Sequence, residues 1–357
     1  MSATVTRASA RPDHVPGNDW RKVQRPEAFG ITPAVACSID AALDAIPATS
    51  FMAVTGGDLL YTYGDIANVS YLASTRKSIL SMLMGKPVTG GTIDLDLTME
   101  QLGIEEEGGL LPIERRARLR DLLVSCSGVY HEPGSPGSNM RNIPERGSKE
   151  PGSYFHYNNW DFNVLGAAFE KLTGRSVFDA FAAEFAGPLQ MQDFDRSRQR
   201  MLGYAGTSRY LAYHFFLSAR DMARLGLLMA RDGIWNGQEI VPPKWVRDST
   251  AIRVPEAAMN ESRKSRIAGY SYLWWVPKVS ENEPEWQDAF IAAGHFGQFI
   301  LVMPAIDMVF VCRRAITDTE ALGRNDGSFR TELSSVTMEQ FLDVVDLVLA
   351  ARRRAAG

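Results

Sequence analysis

Ser74 and Lys77, three apart in the run Ser74-Thr75-Arg76-Lys77, are the first residues whose types and spacing suit a reaction. At helical spacing they share one face, a turn apart. A lysine amine desolvated enough to release its proton can there activate a serine hydroxyl as its base. A helix N-terminus adds backbone N–H groups where negative charge develops during attack on a carbonyl. The pattern alone also fits a solvated helix surface, but apolar Tyr71-Leu72 before it and Ile79-Leu80 after it argue for burial.

Tyr157-Asn158-Asn159 is the second element. A tyrosine hydroxyl, with an ordinary pKa of about 10, ionises more readily beside an ammonium and can relay protons to and from a serine. Asn159 offers an amide that can meet a substrate carbonyl and the Lys77 amine together. The plainer reading makes Tyr157 a half-buried aromatic and Asn159 or Asp161 the N-cap of the following helix. The third element, Gly294-His295-Phe296-Gly297-Gln298, lies between two apolar strands. Its glycines let a substrate backbone approach closely and offer a free N–H. Taken by itself, a residue such as His295 is more often a partly buried histidine with its partners satisfied.

Other chemistries lack their signatures. There is no His-x-x-x-His or Cys-x-x-Cys pair, so no metal site is expected. Gly-x-Ser-x-Gly is absent, as are a phosphate loop and a dinucleotide fingerprint, and no cofactor is expected. Lysine and arginine total 38 against 42 acidic residues, a net charge of −4. That balance lacks the footprint of a nucleic-acid partner. Apolar runs such as Phe299–Met303 are far too short to cross a membrane. The first twenty residues contain no apolar stretch of a secretory signal. Cys37, Cys126 and Cys312 are odd in number and scattered, which fits a reducing cytoplasm, the expected location.

The elements that position these groups follow from periodicity. Phe51–Thr55 and Leu59–Tyr63 read as strands joined by a Gly56-Gly57-Asp58 turn. Ser74 to Met84 reads as a buried helix with a stop at Gly85 and Pro87. Phe162, Leu165, Phe169 and Leu172 mark a helix ending at Gly174, and Ser218 to Asp221 looks like a capping box. Strands return at Tyr270–Val276, Ala289–Ala293, Phe299–Met303 and Asp307–Arg313. A last helix is capped by Thr337 with Gln340. The expected fold is mixed α+β: an antiparallel sheet built from both ends of the chain, flanked by helices, with a helical lobe inserted. His131 to Ser153, rich in proline and glycine, reads as a long loop, either a surface insertion or a mobile cleft wall.

Together the three motifs, in this order, resemble the serine β-lactamase and penicillin-binding-protein superfamily. The sequence is most similar to its class C-related branch: family VIII carboxylesterases, D-aminopeptidase-like hydrolases and 6-aminohexanoate-dimer hydrolases. Further resemblance lies in Ser127-Gly128-Val129-Tyr130, in Phe155 to Asp161 and in Ser218 to Gly226, and the similarity spans Phe51 to Arg313. It implies a β-lactamase/transpeptidase-like fold and a serine hydrolase, with a β-lactam- or D-amino-acid-peptide-processing enzyme or a non-catalytic ligand-binding or assembly relative as the alternatives. Ser74 would be the acylated nucleophile, Lys77 its activator, and Tyr157 the proton carrier between serine and leaving group. Asn159 would be the polar companion, His295 and Gly297 the third motif, and the Gln298 N–H the oxyanion partner of the Ser74 N–H.

The third motif departs from the Lys-Thr-Gly of true class C β-lactamases. His295 and Phe296 replace a lysine and a hydroxyl that help bind a substrate carboxylate, which favours small esters or amides without one. Tyr130, the loop after it, Trp160 and one of Trp274 and Trp275 are candidates for the pocket lining, against core packing for the tryptophans. Arg141, Arg146 and Lys149 could hold an anionic substrate end or simply be solvated. The length of 357 residues then reads as a polar arm over 1–35 and one catalytic domain over 36–357. Within that domain an α/β lobe takes about 36–90 and 240–357, and a helical lobe about 91–239. The expected partner is a small ester or amide, and no sequence feature specifies an oligomeric state.

Overall fold

The structure is a computed structural model that describes residues 14–135, 143–259, 266–325 and 333–356. Eight strands form its main sheet. In chain order they are β1 (Ser50–Thr55), β2 (Asp58–Gly64), β3 (Val254–Pro255), β4 (Ile267–Tyr270), β5 (Trp275–Pro277), β6 (Phe290–Gly294), β7 (Gln298–Met303) and β8 (Met308–Arg313). Across the sheet they run β2-β1-β8-β7-β6-β5-β4-β3, every neighbouring pair antiparallel. β1 pairs with β8 from Ser50↔Arg313 to Thr55↔Met308, so the two ends of the chain share one sheet. Gly56 and Gly57 close the β1–β2 hairpin at φ 58° and 85°, the left-handed backbone that a two-residue turn requires.

Both faces of the sheet are covered. Met52, Val54, Ile300, Val302, Val309 and Val311 belong to a core shared with the helices α2 (Thr75–Thr89), α3 (Asn159–Thr173) and α4 (Ala219–Ala230). The alternate residues Phe51, Ala53, Phe299, Leu301, Phe310 and Cys312 pack with α1 (Pro33–Asp44) and α5 (Met338–Ala356). Burial on both faces explains why these strands read as unbroken apolar runs rather than alternating ones. Among the described residues no helix is long and apolar enough to cross a membrane.

Three expectations need correction. Tyr270–Val276 is a hairpin rather than one strand: Leu273 turns at φ 67°, Ser271 N–H donates to Trp274 O at 2.8 Å, and Tyr270 pairs with Trp275. α2 runs through Gly85 and Pro87 to Thr89. Gly85 is a packing site, since a Cβ there would lie 2.9 Å from the Trp245 ring and 3.1 Å from Val241. The Ser218 box is half formed. Ser218 Oγ accepts the Asp221 N–H at 3.1 Å, but the Asp221 carboxylate accepts from Gln192 N–H and Asp193 N–H instead of reaching back to the cap.

The described part of the arm is tied down. Val23 N–H donates to Leu59 O at 3.0 Å, and the Arg224 guanidinium donates to Pro16 O at 3.2 Å and Gly17 O at 2.8 Å.

Candidate active site

The head of α2 is set by the turn before it. Leu72 N–H donates to Phe215 O at 3.1 Å, and Ala73 takes a left-handed φ of 48°, uncommon for a residue with a Cβ. Ser74 then occupies the N-cap position but makes no capping bond with its side chain. Its hydroxyl is left for other chemistry. Lys77, one turn on and 1% exposed, donates to Ser74 Oγ at 2.9 Å, to the Tyr157 hydroxyl at 2.8 Å and to Asn159 Oδ1 at 2.6 Å. One ammonium thus gathers the first two sequence motifs.

Ser125 holds the backbone that presents Tyr157. Its hydroxyl donates to His156 O at 2.7 Å and accepts Asn158 N–H at 2.9 Å, while its carbonyl accepts His156 N–H at 2.9 Å. The N-cap of α3 is Asn158, whose Oδ1 accepts Trp160 N–H at 3.1 Å. Neither Asn159 nor Asp161 caps the helix, and Asn159 is turned to Lys77. Asp161 lies beneath, fully enclosed. Burial pushes its carboxyl well above the usual range, although Ser127 donates to it at 2.6 Å and Asn158 at 3.1 Å. The Tyr157 ring packs between Phe162, at 4.9 Å, and Trp275, stacked at 5.6 Å.

β6 and β7 bring the third motif to this point. Gly294 pairs with Gln298, and Phe296 and Gly297 make the turn at φ 70° and 101°. A Cβ on Gly294 would stand 2.4 Å from Leu72 O and 2.8 Å from Thr75 Oγ1, so only glycine lets the head of α2 lie against this strand edge. Thr75 Oγ1 donates to Gln298 O at 2.8 Å and ties the two together. His295 is exposed beside Phe296, so it is not the partly buried histidine of the plainer reading.

Between these elements lies a cleft of about 400 Å³. Ser74, Tyr157, Asn159, His295, Phe296, Gly297 and Trp275 line it. Gln298 does not: it is fully buried, with Arg313 donating to its Oε1 at 3.0 Å and its Nε2 donating to Arg314 O at 2.5 Å. Trp160 is also absent from the wall, being wholly buried with its indole N–H on Glu106 at 2.8 Å. Tyr130 is buried, edge-on to His156, and is likewise absent from the wall. Trp274 packs into the core against Phe290. Arg146 is committed to Glu114 at 2.6 Å and Lys149 lies over the Tyr154 ring, while Arg141 falls outside the described residues. The described part of the 131–153 loop is anchored by those contacts and by Gly152 N–H on Cys126 O at 2.7 Å.

Sequence reasoning missed part of the wall. Tyr71 and His214 line the cleft, rings 4.8 Å apart, as do Ser335 to Glu339 at the start of α5. Val336 N–H donates to Phe296 O at 3.1 Å, which seats that segment on the third-motif turn. The Thr337–Gln340 capping box marks where α5 begins, but nothing local says that it begins at a cleft. Among the described residues no cluster could hold a metal ion.

No curated protein sequence matches the chain. Solved structures share its fold. A Bacillus anthracis protein assigned as a 6-aminohexanoate-dimer hydrolase superposes with TM-score 0.61 at 19% identity, covering 98% of this chain and 88% of that one. A protein of Bacteroides dorei DSM 17855 assigned as a β-lactamase gives 0.61 at 18% identity, covering 88% and 98%. EstCE1, a hydrolase with promiscuous acyltransferase activity, gives 0.58 at 14% identity, covering 86% and 100%. The beta-lactamase family profile matches residues 38–313, most of the chain. With that match and the β-lactamase/transpeptidase-like fold, the chain belongs to the beta-lactamase family.

Proposed function

We propose that this protein is a serine hydrolase that works through a Ser74 acyl-enzyme on small esters or amides. The observation that carries the reading is the single lysine nitrogen within 2.9 Å of Ser74 Oγ, 2.8 Å of the Tyr157 hydroxyl and 2.6 Å of Asn159 Oδ1. Ser74 Oγ attacks the substrate carbonyl while its proton passes through the Lys77–Tyr157 pair. The same pair returns the proton to the leaving alcohol or amine, and water then deacylates the serine. The oxyanion is met by the Ser74 N–H at the head of α2 and by the Gln298 backbone N–H.

The third motif and α5 support substrates without a carboxylate. Phe296 has no side-chain donor, His295 replaces a lysine, and Glu339 is an exposed carboxylate on the cleft wall. An anionic substrate end would meet repulsion from Glu339, on a wall where Arg76 carries the opposite charge. The free cysteines, Cys37, Cys126 and Cys312, support a cytoplasmic setting.

The test uses p-nitrophenyl acetate and butyrate, a linear amide, a D-amino-acid peptide and nitrocefin. Leaving-group release with a mass gain on Ser74 is expected from the short esters or the amide, and Ser74→Ala loses at least roughly a thousandfold. If wild type and Ser74→Ala are equally inert across the panel, the reading fails. Fastest turnover of nitrocefin would move the substrate class to β-lactams.

A further inference from the structure

Arg313 ends β8 and is 1% exposed, yet no carboxylate pairs with it among the described residues. Its acceptors are all neutral. Nε donates to Gln298 Oε1 at 3.0 Å, Nη1 to Asn68 O at 3.3 Å and to Leu217 O, and Nη2 to Ser70 Oγ. Desolvation pulls the guanidinium down to about 9, the mark of a buried charge without a counter-ion. Burying such a charge is costly. A side chain kept at that cost must supply something that an apolar residue cannot.

Its acceptors say what that is. Ser70 and Leu217 face each other in a two-stranded ribbon, and the chain leaves Ser70–Tyr71 directly into Ala73 and Ser74. Gln298 opens β7, immediately after the third-motif turn, and its carbonyl accepts from Thr75 at the head of α2. Arg313 therefore grips the strand that delivers the nucleophile and the strand that follows His295-Phe296-Gly297. A guanidinium is a rigid, planar fork with five donors, able to serve acceptors in several directions at once. An ammonium of similar charge is a single point.

We propose that Arg313 is a positioning residue that fixes the His295–Gln298 edge against the Ser70–Ser74 segment, and so sets the gap in which a substrate carbonyl is attacked. Its link to catalysis rests on the serine hydrolase reading above; its geometric part does not. The two strands come from opposite ends of the chain, and side chains rather than ladder bonds join them here. A displacement of about 1 Å at such a junction costs on the order of a hundredfold in rate.

The test compares wild type with Arg313→Lys, which keeps the charge and loses the fork, and with Ser70→Ala, which removes one acceptor and leaves the core filled. The preferred ester is assayed at equal folded concentration, and amide hydrogen exchange is read peptide by peptide. Arg313→Lys is expected to lower kcat about 10- to 100-fold with KM within about threefold. Ser70→Ala shifts kcat in the same direction by less. Exchange rises in peptides covering Ser70–Lys77 and His295–Gln298 and stays flat elsewhere. Full kcat in Arg313→Lys, or exchange that rises evenly over the sheet, would overturn the proposal. If wild type hydrolyses nothing, the hydrolase reading fails by itself, and the exchange pattern still decides whether Arg313 is the clamp.

Discussion

Lys77 donates to the Asn159 side-chain oxygen at 2.6 Å, from the first turn of one buried helix to the first residue of another. That bond fixes the Lys77 nitrogen between Ser74 and Tyr157 and does so with a neutral acceptor. A carboxylate in the same place would hold the lysine charged, and a charged lysine cannot take the serine proton.

The charge state of residue 159 is therefore the first prediction. Asn159→Asp moves the acidic limb of the kcat/KM profile to higher pH, because the new carboxylate favours protonated Lys77. Asn159→Ala removes the tether without adding charge, and kcat falls on the order of tenfold or more with no such shift. Profiles of the two variants with a p-nitrophenyl ester separate the effects. Coincident profiles would show that Lys77 does not act as the base.

Gly294 tests the contact between α2 and the strand edge. An alanine methyl would meet Leu72 O at 2.4 Å and Thr75 Oγ1 at 2.8 Å, and the carbonyl belongs to rigid backbone. Gly294→Ala should lower stability by about 1–3 kcal/mol in chemical denaturation. It should also depress kcat beyond that loss when assayed fully folded, because relief of the clash moves Ser74 away from the third motif. Unchanged kcat in folded Gly294→Ala would separate this contact from catalysis.

Much of this arrangement could be read without coordinates, because its signals are local. Ser74 and Lys77 are one helical turn apart, and Gly294 to Gln298 separates two apolar strands. Burial on both faces made the β7 and β8 strands conspicuous as well. What escaped was set at long range. The fact that α5 opens at the cleft follows from Val336 bonding to Phe296 O, some forty residues back, and no periodicity encodes that. Trp160 sits one residue from Asn159, but helical rotation carries it to another face, where Glu106 claims it. Tyr270–Val276 was ambiguous for a different reason: aromatic residues fill a strand and a tight turn alike, and Leu273 accepts a positive φ with a Cβ.

Asp221 governs a pH effect remote from the cleft. Burial and the neighbouring Asp193 raise its carboxyl from 3.8 to about 6, against the Gln192 and Asp193 N–H bonds and Arg224. Between those values the folded protein holds a proton that the unfolded chain has released, so stability falls as pH rises through that window. Asp221→Asn removes this slope. Urea unfolding at pH 4 and pH 6.5 should show wild type losing about 2–3 kcal/mol more than the variant over the interval. Parallel curves for the two proteins would contradict the assignment.

Trp160 offers a final separation of packing from chemistry. Its indole N–H is one of several donors on Glu106, with the Ser208 hydroxyl and the Arg209 and Glu107 N–H groups. Burial raises the Glu106 carboxyl, but these bonds together outweigh it and hold the group below the usual carboxylate range. Trp160→Phe keeps most of the buried ring and removes one donor to a buried charge, a loss of about 1–3 kcal/mol. Glu106 retains its other partners, so the protein should fold with a Tm several degrees lower. Because the ring does not reach the cleft wall, KM and kcat for a short ester should stay within about twofold of wild type, measured below the transition. A raised KM with an unchanged Tm would instead put Trp160 in contact with substrate.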